Sequence, residues 1–182
     1  MSKIELLAPA GGRKALEAAL ESGADSVYFG LNSLNARRGA ENFHHTELEE
    51  VVGLVHKYGA KAYLTINIDL RTRDLGQAAR MVHIATKAKV DAVLVRDPFF
   101  LKLIKHYPDL GFHFSTQAGI CNSQGAKAAK ELGIKRVVLA RELTMKEIAA
   151  AQAIEGIQTE VFCQGALCFC VSGRCFMSSW GG

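Results

Sequence analysis

Three stretches of the chain repeat one pattern. Residues 18–30 (AALESGADSVYFG), 84–97 (IATKAKVDAVLVRD) and 128–141 (AAKELGIKRVVLAR) each run from an alanine-rich helix end, through a turn, into a β-branched strand that closes near a polar residue. A helix end that feeds a strand again and again implies βα units, and parallel strands need such crossovers. The spacing predicts strands over 4–8, 26–30, 62–68, 92–95, 111–116, 136–140 and 158–163. Helices are expected over 13–22, 46–58, 74–88, 98–106, 123–132 and 144–154. Gly23, Gly59 and Gly133 read as residues that end helices in the left-handed conformation. Asn122-Ser123 and Thr144, with Glu147 three residues on, read as N-caps.

Two architectures accommodate this alternation, an open doubly wound sheet or a (β/α)8 barrel. The unit count favours a TIM-barrel-like repeat of parallel strands. A complete barrel has eight strands and about 250 residues. Seven strands in 182 residues therefore read as one barrel-like domain, 1–182, lacking its last unit, the N-terminal part of a longer protein. Hydrophobic residues make up 49% and charged residues 22%, enough apolar surface for a core and too little charge for disorder. The net charge of +4 is compatible with RNA or an anionic metabolite and selects neither. The N-terminal apolar run is too short for a secretory signal and no stretch could span a bilayer, so the expectation is a cytoplasmic protein with reduced thiols and no membrane span.

In a barrel the functional groups sit at the C-terminal strand ends. Along 111–116, His113, Ser115 and Gln117 share one parity, and Phe112, Phe114 and Thr116 the other; along 62–68, Tyr63, Thr65 and Asn67 do the same. If the apolar parity meets the helices, the polar one points inward, either to line a pocket or to satisfy itself in a closed hydrogen-bond network. Other strand ends offer Glu5, Asn32, Arg96-Asp97 and Arg141-Glu142, with Arg37, Arg38 and Asn42 in the loop after the second strand. Arginines at a pocket mouth suit a carboxylate or phosphate, although a single one is as readily a solvated rim residue. The turn 8–12 (APAGG) leads into a helix but lacks the G-x-G-x-x-G spacing of a dinucleotide site. H-E-x-x-H and G-x-S-x-G are absent.

Segment 160–182 carries four of the five cysteines, spaced C-x4-C-x-C-x4-C from Cys163 to Cys175. Zinc ribbons favour C-x2-C pairs, and ferredoxin spacing is not met. On local pattern alone, two of the four are ligands and the other two are small buried hydrophobes.

The run Glu160-Val161-Phe162, Gly165-Ala166-Leu167-Cys168, Ser172-Gly173-Arg174-Cys175 and Ser178 resembles the signature of the U-32 peptidase family. The resemblance extends to residues 5–11 (ELLAPAG), 23–28 (GADSVY), Asn35-Ala36-Arg37, His113-x-Ser115-x-Gln117 and Arg141-Glu142-Leu143. It implies one of two activities. Members are commonly described as collagenase-like peptidases, while others are oxygen-independent hydroxylases of tRNA or rRNA bases or of a quinone precursor, some drawing oxygen from prephenate. In the latter a 4Fe–4S cluster is held by four cysteines, two of which match Cys168 and Cys175, the other two lying downstream. Cys163 and Cys170 depart from that pattern. The resemblance so implies an iron–sulfur hydroxylase, with a peptidase or a non-catalytic scaffold as the alternatives, and the inward parity and strand-end residues place Arg37, Asn67, His113, Ser115, Gln117, Arg141 and Glu142 at its substrate or donor pocket. Two thiols without their partners would leave this chain with half of a cluster site.

Overall fold

A computed structural model describes residues 4–37, 39–165 and 170–174. Seven strands form one sheet in the order β1 (Leu7–Pro9), β2 (Ser26–Gly30), β3 (Lys61–Ile66), β4 (Ala92–Val95), β5 (Gly111–Phe114), β6 (Arg136–Val138) and β7 (Gln158–Glu160), every neighbouring pair parallel. Five helices cover one face: α1 (Arg13–Glu21), α2 (Leu48–Lys57), α3 (Leu75–Lys87), α4 (Ser123–Glu131) and α5 (Met145–Gln152). The sheet curls into a half-barrel, the TIM-barrel-like repeat that the three repeated stretches predict. No helix among the described residues is long and apolar enough to cross a membrane.

The repeat has a common mechanism. Gly23, Lys89 and Gly133 occupy equivalent positions and all have positive φ, at 84°, 59° and 89°, turning each helix into its strand. In the first two units an aspartate follows and clips the start of the preceding strand: the Leu6 amide donates to Asp25 Oδ2 and the Ala62 amide to Asp91 Oδ2. The expected caps form. Asn122 Oδ1 accepts from the Gly125 amide, and Thr144 with Glu147 makes a capping box.

Burial separates the two sheet faces. Val27, Phe29, Leu64, Ile66, Val93, Val95, Phe112 and Val137 join residues of the helices, such as Leu16, Val51, Val52, Val82 and Ala126, in the main core. The opposite face has a much smaller apolar cluster, Tyr63, Ala92, Leu94 and Val138, flanked by Leu7 and Tyr28. That face is the barrel interior, and the rest of it is polar.

The structure corrects the expected elements in two ways. The helix predicted over 98–106 is a pair of 3₁₀ turns, Pro98–Lys102 and Ile104–His106, closed by i→i−3 bonds such as Leu103 N–H to Phe100 O. Three residues per turn lines up Leu101, Ile104 and Tyr107 against the core, with Phe100 fully buried and Lys102, Lys105 and His106 exposed. The strands are also shorter than their apolar runs. β6 stops at Val138: the Leu139 amide makes the last ladder bond, to Glu160 O of β7, and the Ala140 amide turns away to Ile120 O. β5 ends at Phe114 because Ser115 caps a 3₁₀ turn, Thr116–Ala118.

Candidate functional site

The inward parity of β3 and β5 builds a polar column with different chemistry at its two ends. At the N-terminal end, beneath β1, the Glu5 carboxylate receives both guanidinium Nη groups of Arg136 at 2.8 and 3.0 Å, the Tyr63 hydroxyl at 2.8 Å and the Ser26 hydroxyl at 2.9 Å. Arg136 also donates to Gln158 Oε1 and lies 3.5 Å from Glu160, and its guanidinium rests over the Tyr63 ring. Burial alone would raise the Glu5 pKa, but these donors, Arg136 foremost, hold its carboxyl far below the usual range. Glu160 goes the other way: burial pushes its pKa up against the opposing pull of Arg136. A buried charge needs a partner, so Arg136 at inward parity on β6 was the readable signal of this network; its partner, 131 residues away, was not. Glu5 therefore lies at the opposite end of the column from the mouth where sequence reasoning placed it.

His113 is in the middle of the column. It is 5% exposed and packs edge-on to Tyr63 with ring centroids 5.1 Å apart, and its Nδ1 has no hydrogen-bond partner. Burial, helped by the charge of Arg136, pushes its pKa down to about 3. The imidazole is neutral at physiological pH and lines neither cleft described below.

The C-terminal end is the mouth, spanned by one bond from Asn67 Nδ2 to Ser115 Oγ at 3.1 Å. On one side of it lies a narrow cleft of about 50 Å³ lined by Pro9–Gly11, Tyr28, Gly30, Asn35, Arg37, Asn42, Thr65 and Asn67. Its amides are committed to holding the loop after β2: Asn67 accepts from the Ala36 amide, Asn35 from the Arg37 amide, and Asn42 donates to the Arg37 and Ala40 carbonyls. Arg37 sits over the Tyr28 ring at 5.6 Å. On the other side a cleft of about 280 Å³ is lined by Asp69, Arg96, Pro98, Gln117, Ala118, Gly119 and Ser172–Arg174.

Arg141 and Glu142 act differently from pocket residues. The Ser172 amide donates to the Glu142 carboxylate, the Arg141 amide donates to Ser172 Oγ at 3.2 Å, and the Arg141 guanidinium stacks over Phe162 at 4.7 Å. Slight burial would raise the Glu142 pKa, but the Ser172 and Glu142 amides, the Ser172 hydroxyl and the Arg141 charge together hold the carboxyl below its ordinary value. Together the pair clasps the cysteine-rich segment to the mouth. Gly173 completes the fit. Its φ is 77°, and a Cβ there would come within 2.5 Å of the Gln117 carbonyl oxygen, so only glycine allows this approach.

Of the seven pocket residues expected from sequence, Arg37, Asn67 and Gln117 line the two clefts, Ser115 joins them through Asn67, His113 is buried below, and Arg141 and Glu142 hold the segment. Cys168 and Cys175, the thiols assigned to a cluster, lie outside the described residues, as does Arg38. Residues 170–174, between those thiols in sequence, are docked at the larger cleft. Cys163, expected to be buried, is exposed, and Cys170 is half-buried. Among the described residues, no three His, Cys, Asp or Glu side chains are grouped so as to hold a metal ion.

Comparison with known proteins agrees with these landmarks. Peptidase family U32 matches residues 11–182. The chain is 38% identical over 185 residues to the uncharacterized protease MJ0090 of Methanocaldococcus jannaschii, covering 99% of this chain and 45% of that protein. It is 36% identical over 178 residues to tRNA hydroxylation protein P1 of Bacillus subtilis, covering 97% and 42%. It is also 36% identical over 176 residues to the 23S rRNA 5-hydroxycytidine C2501 synthase of Escherichia coli, covering 97% and 26%. The chain thus spans less than half the length of these relatives. A solved structure, the U32 peptidase Mk0906, superposes with a TM-score of 0.68 at 17% identity, covering 88% of this chain and 68% of that one, a likeness of fold. The family match over nearly the whole chain shows that this protein belongs to peptidase family U32.

Proposed function

We propose that the chain is the barrel portion of an oxygen-independent RNA hydroxylase. The observation that carries this reading is the polar mouth on which the family's cysteine segment is docked, in a chain whose relatives include proteins named for tRNA and rRNA hydroxylation. RNA bases are accordingly preferred to a quinone precursor as substrate. In this reading Cys168 and Cys175, with two thiols from elsewhere in the full-length protein, hold a 4Fe–4S cluster, which supplies one-electron chemistry when bound. The chain's own residues position the reactants, and the oxygen comes from a small anionic donor such as prephenate, for which the guanidinium groups at the mouth are suitable partners.

A peptidase needs an activated nucleophile. Among the described residues, the two serine hydroxyls at the mouth are engaged otherwise, Ser115 by Asn67 and Ser172 by the Arg141 amide, and His113 is buried and lines neither cleft, which favours the hydroxylase. The test is anaerobic purification of the full-length protein, with its absorbance, iron content and RNA products measured. The expected result is a brown protein that adds one oxygen atom to an RNA base by mass spectrometry, with both properties lost in Cys168→Ala and Cys175→Ala. A colourless, iron-free protein that leaves RNA unmodified and cleaves peptides would overturn the reading.

A further inference from the structure

The larger cleft has an unbalanced charge. Its walls come from four places: Asp69 after β3, Arg96 after β4, Gln117–Gly119 after β5, and Ser172–Arg174 of the docked segment. Two guanidinium groups line it, Arg96 and Arg174, against a single acid, Asp69. Two further acids nearby keep their charge but do not line the cleft, and their oxygens accept from backbone amides. Asp97 accepts from Leu70 at 2.9 Å and from Phe99 at 2.8 Å, and Glu142 holds Ser172. Arg96 Nε lies 2.7 Å from Asp69 Oδ1, and the Arg96 side chain is only 23% exposed, whereas Asp69 is 62% exposed. Two guanidinium groups lining one cleft, one of them largely desolvated, favour an anion in it, and the guanidinium fork matches an oxyanion with two coplanar oxygens.

We infer that this cleft is a subsite for a small oxyanion, a carboxylate or a phosphate, gripped by Arg96 and Arg174, and that the Glu142–Ser172 clasp sets the position of Arg174. The subsite is separate from the Arg37 cleft across the Asn67–Ser115 bridge. One of its two arginines belongs to the barrel and the other to the cysteine segment, so the site exists only when that segment is docked. Gly173 at the Gln117 carbonyl and Ser172 on Glu142 are the contacts that bring Arg174 there. This deepens the hydroxylase reading and rests on it only for the natural ligand's role, that of the anionic co-substrate.

The test is calorimetric titration of the chain with malonate and, separately, with inorganic phosphate. One saturable site is expected. Arg96→Ala and Arg174→Ala should each weaken it about tenfold, one lost charged contact; Glu142→Ala should weaken it less, with Glu142→Gln restoring much of the loss because its carbonyl still accepts from Ser172. Arg80→Ala, on the exposed face of α3, should change nothing. Arg174 is exposed, so its variant keeps the fold, as an unchanged thermal midpoint would verify. Tighter malonate binding assigns a carboxylate ligand and tighter phosphate binding a phosphate. Absence of saturable binding for both probes, or binding unaltered in both arginine variants, overturns the subsite. RNA hydroxylation persisting in that case would leave the proposed function standing, so the two failures are distinguishable.

Discussion

Single residues in this chain are constrained mainly by backbone geometry and by the dielectric of the barrel interior. Lys89 takes the left-handed conformation that its repeat mates give to glycine, which costs an L-residue about 1 kcal/mol. Lys89→Gly should therefore raise stability by no more than about 0.5 kcal/mol in urea denaturation, the relief of strain less the added chain entropy. Gly173→Ala should do the opposite locally, releasing segment 170–174 from the mouth and speeding its amide hydrogen exchange with little change in the global midpoint. His113 sets a pH dependence. Its folded pKa, about 3, lies below the ordinary 6.5, so the unfolded chain takes up a proton first as pH falls. Its contribution is complete above 6.5 and is lost progressively toward about 3. Stability measured between pH 6.5 and 4.5 should fall, and His113→Asn should flatten that slope.

At the level of elements, the interior network joins the residues before β1 to β6 and β7. Arg136→Met leaves Glu5 without its principal partner and should cost about 3 kcal/mol, the usual penalty for stranding one member of a buried pair. Glu160→Gln should cost much less, because Glu160 Oε2 makes no hydrogen bond and burial opposes its charge. Glu5, held far below 4.5, contributes stability that is complete above that pH and is lost as the solution becomes more acidic. Acid unfolding below pH 4.5 should accordingly be advanced in Glu5→Gln and little changed in Glu160→Gln, because burial leaves Glu160 protonated there in the folded chain. The cap of α5 was legible as Thr144-x-x-Glu147, and Thr144→Ala should cost about 1 kcal/mol. The 98–106 run was not legible, since Lys102, Lys105 and His106 at i, i+3 and i+4 with apolar residues between them fit α and 3₁₀ winding equally well.

For the whole molecule, local sequence was enough to determine the βα alternation, the turn residues, which strand parity is apolar, and the membership of the cysteine segment in a known family. Each of these is a short-range property: helix ends, glycine turns and period-two burial are settled within about a dozen residues. The tertiary structure alone decided where the polar parity finds its partners. Glu5 reads as a strand residue near a loop, yet the curl of the sheet places it opposite Arg136, 131 residues away. Arg141 and Glu142 read as pocket residues until the docking of Ser172 shows them holding the segment instead. The larger cleft likewise combines Arg96 and Arg174, side chains that no spacing rule connects. Buried and half-buried charges are satisfied by whichever group the fold brings within about 3 Å, and that distance is set by the curvature of the sheet, not by the order of residues along the chain.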